Sequence, residues 1–405
     1  MKILHIQYSM SPAGNAAYRL HCAMKRAGMD SKVLLLGDNY KRDDCYISHQ
    51  TKIIKLFRRI INSIYSRLFY NSKYKKEGSY FFSALPLIGY NIMKNRLVQE
   101  SDIIYLHWIA GMSLSAKDVR DLCDSNKLIV FFMHDMWDLT AGCHHSLECK
   151  QYMTGCKKCP MFISDGYIHK LIAYKEKACF GNNVVFVSPG DWLAGCARLS
   201  IVSKKHPVFV IPNVVDQSVF KPINKQQARS YYKLPLDKKI VSFGCINGNN
   251  PFKGWAYLRE ALNALTVPNI QVVVYGGDYN KEMVETIKFP ISFVGKITTE
   301  EELGLISNVA DVFVNPSLCE NYSSVLLEHI LCKVPVVAFN YTGNPDLVKT
   351  GVTGYLANYK SSDDLSKGIS MLLNGEIVPS FDFDYSSNRI IKQHQTLISD
   401  MYTSS

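Results

Sequence analysis

The sequence predicts an α/β protein built as two doubly wound parallel-sheet domains. Three observations carry this. Short apolar runs at 3–8, 103–108, 128–133, 183–188, 239–243, 270–275 and 310–314 read as strands buried on both faces. Segments with apolar residues at helical spacing alternate with them, which is the βαβ pattern of a parallel sheet. The alternation restarts after a polar passage containing Pro222 and Pro235. The 405 residues therefore divide into portions 1–212 and 213–380, each long enough for its own core. A terminal helical segment, 381–405, is expected to pack back on the first portion.

Composition narrows the class. The chain is 47% hydrophobic but has no run of 18 apolar residues, so no membrane-spanning segment is predicted. Its first residues read as a strand and not as a signal peptide, which points to a reducing cytoplasm. The net charge of +11 is uneven: residues 1–205 carry 29 Lys and Arg against 16 Asp and Glu, or +13, leaving −2 for the remainder. A basic first half calls for an acidic surface or substrate. No RNA-binding aromatic signature, zinc-finger spacing or basic heptad helix accompanies it, so nucleic acid is not the expected partner.

Taken in order, the chain opens as strand, loop and helix, with Gly14 in the loop at a strand's carboxyl end, where a doubly wound sheet keeps its ligand crevice. Residues 51–76 hold eight basic residues and no acidic one, with Ile53, Leu56, Phe57, Ile60, Ile61, Ile64, Leu68 and Phe69 at helical spacing. This is a basic amphipathic helix suited to an anionic membrane surface. The other reading is a helix packed on its own core with a solvated basic face. The strand at 128–133 ends in His134 and Asp135, at the crevice edge. Cys143, Cys149, Cys156 and Cys159 follow and fit a structural zinc site, with His144 or His145 able to replace one thiol. Disulfides or free thiols are the alternatives.

In the second half, Lys253 lies just before a helix at 255–265, as a counter-charge for phosphate. No P-loop pattern is present. Lys296 and Ile297 follow the strand at 291–294. After the strand 310–314, a turn and a helix opening near Tyr322 and Ser323 place Glu320 in the loop and Glu328 on the helix. Both carboxylates can face a ligand at that helix start, where the N–H groups of Asn321, Tyr322, Ser323 and Ser324 favour an anion. Hydroxyls for the carboxylates and phosphate for the backbone together suggest a nucleotide-sugar. The triplet Asp382-Phe383-Asp384 mimics a metal-binding motif but falls in a linker.

Together these pieces resemble the family-four retaining glycosyltransferases. The segment ENYSSVLLE, from Glu320 to Glu328, matches that family's Glu-x7-Glu signature, and PVVAFNYTGNPDLVKTGVTGYLA matches the run that follows it. SPAGNAAYRLHCAMKRAGMDSKVL, HDMWDLTAGCHHSLECKQYMTGCKKCP, SPGDWLAGCARLS and IPNVVDQSVFKP are similar to the branch that assembles bacterial colanic acid, O-antigen and exopolysaccharide. The resemblance implies the GT-B fold, two facing Rossmann-like domains with a deep cleft between them. It implies Glu328 on the ribose, Glu320 and His134 at the donor sugar, and Lys253 with Asn321–Ser324 at the diphosphate. Gly14 would admit the diphosphate, and Lys296 and Ile297 would border the base. The reaction implied is metal-independent transfer from a UDP- or GDP-linked sugar to a lipid-linked glycan at the inner membrane face. An epimerase or hydrolase on the same fold, or a binding subunit without chemistry, are the alternatives. One departure stands out: the family's Arg ahead of the Lys has no counterpart in 245–250.

Overall fold

A computed structural model describes residues 1–9, 12–37, 44–48, 52–69, 82–83, 85–110, 113–159, 161–244, 251–277 and 280–403. The chain separates into two compact units. Residues Met1–Val214 with Ser386–Ser405 form the first, and Val215–Tyr385 the second.

In the first unit, β1 (Lys2–Gln7), β2 (Asp30–Leu35), β3 (Cys45–Ile47), β4 (Ile103–Leu106), β5 (Leu128–Phe132), β6 (Val184–Ser188) and β7 (Val208–Val210) form one parallel sheet. Its order is β3-β2-β1-β4-β5-β6-β7. In the second, β8 (Lys239–Gly244), β9 (Ile270–Tyr275), β10 (Ile291–Gly295), β11 (Val312–Asn315), β12 (Val336–Phe339) and β13 (Gly354–Ala357) form a parallel sheet in the order β10-β9-β8-β11-β12-β13. Both are Rossmann-like doubly wound sheets, as the alternating apolar runs predict. Strand order reverses between β1 and β4 and between β8 and β11, and the carboxyl ends of such pairs are where a doubly wound sheet keeps a ligand crevice. The central strands are buried throughout, which is why they read as unbroken apolar runs.

The terminal helix Ser387–Thr403 belongs to the first unit, where buried His394 bonds the Tyr105 hydroxyl at 3.1 Å. In the second unit, Asp311 at the foot of β11 gathers three donors. Arg229 Nη2 and Lys225 Nζ each reach it at 2.7 Å, and Ile240 N, on β8, also at 2.7 Å. Arg229 spends its other donors on the carbonyls of Val309, Leu236 and Lys238. This anchor fixes the start of the strand that ends at Asn315.

The basic helix Lys52–Phe69 is oriented opposite to an ordinary core-packed helix. Arg58 and Asn62 are its buried residues, while Ile53, Leu56, Phe57, Ile60, Ile64 and Leu68 are exposed, Ile53 at 80%. Arg58 stacks over the Tyr90 ring at 3.7 Å and donates to the Ile88 and Ser113 carbonyls. Asn62 accepts from the N–H groups of Leu87 and Ile88 at 3.0 and 3.1 Å. Directional bonds to the 87–90 segment hold the polar residues inward, so the apolar stripe is turned out and is not a core face. Among the described residues no helix is long and apolar enough to cross a membrane.

Burial by itself would raise the Asp311 pKa, but Lys225, the Ile240 N–H and Arg229 outweigh it and hold the carboxyl below its ordinary range. Its folded pKa lies under its unfolded one, so this stability is present above the unfolded pKa and fades as pH falls through the folded one. Asp311→Ala, which strands the buried Arg229, should cost about 3 kcal/mol of second-unit stability in urea unfolding at neutral pH. The loss should shrink towards pH 3.

Candidate functional site

Three loops meet at the carboxyl edge of the second sheet, those following β8, β11 and β12. The turn Pro251–Lys253 joins the β11 loop through Leu318 N, which donates to Phe252 O at 2.8 Å. Gly254 makes this approach possible. Its φ of 68° is left-handed, and a Cβ there would lie 1.9 Å from the Pro316 carbonyl oxygen. The β12 loop is tied in from the other side. Glu320 N donates to Thr342 Oγ1 at 3.0 Å, and Gly343 N donates to Glu320 O at 2.9 Å. A Cβ on Gly343 would lie 1.9 Å from the Asn321 carbonyl oxygen. Glu320 is therefore clamped by backbone on both flanks.

This stitching brings Lys253 Nζ to 3.2 Å from Glu320 Oε1, the lysine side chain 45% exposed and the carboxylate 17%. A cation and a carboxylate thus sit at the opening of the helix Ser324–Leu331. Ser323 caps that helix by accepting from Leu326 N, and Asn315 reaches the same hydroxyl at 3.4 Å. Among the described residues, no hydrogen bond within the chain takes up the N–H groups of Asn321 and Ser323. Asn321 Oδ1 is buried without a partner. Open N–H groups, a helix start and a lysine make a cradle for an anion. Glu328, one turn into the helix, is 4% exposed. Tyr275, at the end of β9, has its phenol raised well above the ordinary range by burial and then by the Glu328 charge. Lys296 is exposed and Ile297 half-buried just beyond β10, where Gly295 turns with φ 82°.

In the first unit, the helix Pro12–Arg26 starts earlier than the sequence suggests, so Gly14 lies in its first turn and not in a preceding loop. His134 follows β5, half-buried, with Nε2 at 2.9 Å from His107 Nδ1. Burial lowers its pKa to about 4 against an upward pull from Asp135. Asp135 accepts from Trp108 Nε1 at 3.2 Å and Trp137 N at 2.7 Å, and pairs with His144 at 2.7 Å. Sequence reasoning passed over His107 and Tyr275. The available signal was a polar ring interrupting or ending a strand whose neighbours are all apolar.

The zinc expectation is not supported. Among the described residues no group of three or more His, Cys, Asp or Glu side chains is placed to hold a metal ion. Cys143, Cys149, Cys156 and Cys159 are free thiols, Cys149 exposed and Cys156 buried. Burial raises the thiols of Cys143 and Cys156, the latter to about 11 against the lowering effect of a backbone bond at Ala141. His144 is engaged by Asp135 and by Ser83 at 2.7 Å. The segment 245–250, where the family's Arg has no counterpart, lies outside the described residues.

Comparison with known proteins agrees with this geometry. Residues 237–375 match the model for the group 1 glycosyl transferases, a span that contains every second-unit candidate residue. The D-inositol 3-phosphate glycosyltransferase of Mycolicibacterium smegmatis is 29% identical over 172 residues, covering 40% of this chain and 39% of that one. The chain thus aligns with about two-fifths of that relative's length. HepE of Anabaena, solved in complex with UDP-glucose, is 14% identical with a TM-score of 0.61, covering 99% of this chain and 100% of that one. Sucrose-phosphate synthase of Thermosynechococcus elongatus is 16% identical with a TM-score of 0.67 and full coverage of both chains. These likenesses establish two Rossmann-like units of the GT-B class.

The loop stitching sets two measurable costs. Ser323→Ala removes a helix cap and should lower the unfolding free energy by about 1 kcal/mol. Gly254→Ala adds a Cβ both in a left-handed conformation and against a backbone oxygen, and should lose more than about 2 kcal/mol. Urea unfolding of both variants checks the order.

Proposed function

We propose that this chain, with its group 1 glycosyl transferase segment, is a retaining glycosyltransferase of the hexosyl type. It takes a nucleotide-diphosphate-sugar as donor and a lipid-linked glycan as acceptor, in bacterial surface polysaccharide synthesis of the O-antigen, capsule or exopolysaccharide kind. The observation that carries the reading is the meeting of Lys253, Glu320 and an uncommitted helix start at the carboxyl ends of β8 and β11. Breaking a glycosidic bond to a diphosphate develops negative charge on the leaving oxygens. Lys253 and the N–H groups of 321–324 stabilise that charge from positions fixed before the reaction, so no reorganisation is required. Glu328 holds the ribose hydroxyls, Glu320 the donor sugar, and Lys296 and Ile297 border the base. Of the first-unit residues, Gly14 is assigned to the diphosphate and His134 to the donor sugar. Attack on the face the diphosphate leaves, with the diphosphate helping to deprotonate the acceptor hydroxyl, retains the anomeric configuration. None of these roles calls on a metal. The UDP-glucose held by HepE supports the donor class.

The outward apolar stripe of the helix Lys52–Phe69 supports docking on an anionic membrane at the cytoplasmic face. Arg59 and Arg67 are exposed beside it, and the first half carries the excess of positive charge. A peripheral position there brings a lipid-linked acceptor to the enzyme.

Glu320→Ala should reduce transfer from a matched nucleotide-sugar on the order of 10²–10³ while leaving the melting temperature near that of the parent. Full activity in that variant would sink the assignment. A thermal-shift panel of nucleotide diphosphates should identify the base through the ligand that raises Tm. For the membrane, Ile60→Ser with Ile64→Ser should weaken binding to vesicles rich in anionic lipid at least about tenfold. Arg58 is kept out of that test because it is buried; unchanged binding would remove the membrane from the proposal.

A further inference from the structure

Three imidazoles form a continuous hydrogen-bonded chain across the first sheet. His134, after β5, bonds His107 through Nε2 to Nδ1 at 2.9 Å, and His107, after β4, bonds His5 on β1 through Nε2 to Nδ1 at 2.8 Å. His107 and His5 are 2% and 0% exposed, and the rings of successive members stack at centroid separations of 5.2 and 5.1 Å. The inner end stops at His5 Nε2, buried without a partner. The groups around it are uncharged: Tyr105 at 5.0 Å, His21 edge-on at 6.1 Å and bonded to Ser31, and His394 bonded to Tyr105. Among the described residues, neither His5 nor His107 bonds a carboxylate.

Each neutral imidazole has one N–H and one lone pair, so the chain has only two polarities. In one, every N–H points inward, and His5 ends the chain with a buried N–H that has no acceptor. In the other, every N–H points outward. His5 then donates to His107, His107 donates to His134 Nε2, and the inner end is a bare lone pair. An orphaned buried N–H is the rarer defect. At the outer end, the Asp135 oxygens are already taken by Trp108, Trp137 and His144.

We infer that His5 and His107 are positioning residues that lock His134 as its Nδ1–H tautomer, leaving that N–H as a neutral donor to a substrate hydroxyl. An imidazolium at His134 would have to donate through Nε2 and reverse the whole chain. Burial and this reversal act together to keep the ring neutral, in line with a pKa near 4. His134 therefore works as a fixed hydrogen-bond donor and not as a proton source. The identity of the bound hydroxyl as a donor-sugar group rests on the glycosyl-transfer reading; the tautomer does not.

Neutron diffraction from deuterium-exchanged crystals of the full chain tests the tautomer directly. Deuterium is expected on Nδ1 of His134, His107 and His5 and on none of their Nε2 atoms. Deuterium on His134 Nε2 overturns the inference, whatever the activity. The kinetic arm compares His107→Leu with His107→Asn, which keeps an N–H near the Nδ1 position. With both melting close to the parent, the Leu variant should lose kcat by at least about tenfold and the Asn variant should recover most of it. Equal losses in the two variants would mean that His107 only fills space. A protein with the expected deuterium pattern but no turnover with any nucleotide-sugar would fail the functional proposal and leave the tautomer standing.

Discussion

Parallel strands end together. In each unit the backbone polar groups at the strand carboxyl ends come to one edge of the sheet, and at the reversal of strand order no helix can cross over to cover them. The candidate anion cradle and the histidine chain lie at those two edges. Asn315 ends β11 beside the reversal in the second sheet, and His107 follows β4 beside the reversal in the first. The loops leaving those ends must satisfy their own polar groups or hold them ready for a ligand. In the second unit they do both: Gly343 N donates to Glu320 O, while among the described residues no bond takes up the N–H groups of Asn321 and Ser323.

Rigidity at the site comes from contacts a side chain would destroy. Gly254 against Pro316 and Gly343 against Asn321 allow main chain to touch main chain, which locates Lys253 and Glu320 more closely than flexible side chains can. Further down the same strand, the Asp311–Arg229 anchor fixes the end of β11 remote from the ligand. Positioning and stability therefore share one strand.

The first unit solves a different problem. Its apolar stripe on Lys52–Phe69 faces outward because Arg58 and Asn62 are bound to the 87–90 segment and the Ser113 carbonyl. Its histidines, by contrast, are drawn inward among the buried residues of the sheet. A charged imidazole would be costly at such depth, and burial keeps His5 and His107 well below the ordinary histidine range.

The sequence by itself determined the fold class, since strands buried on both faces must read as unbroken apolar runs and helices must keep their period. It also named Lys253, Glu320 and Glu328, because charged residues flanking a helix start have a local signature. It could not say which way the helix Lys52–Phe69 would turn. Periodicity defines an apolar stripe, and only the partners of Arg58 and Asn62 decide what that stripe faces. Four cysteines in close succession suggested a metal, yet coordination depends on where four sulfurs point, and among the described residues no such group is placed to hold one. His5, His107 and His134 lie in separate stretches of sequence, so their alignment into one chain belongs to the tertiary structure alone. It exists because β1, β4 and β5 are adjacent in the sheet, and adjacency of strands is a non-local fact that spacing along the chain does not encode.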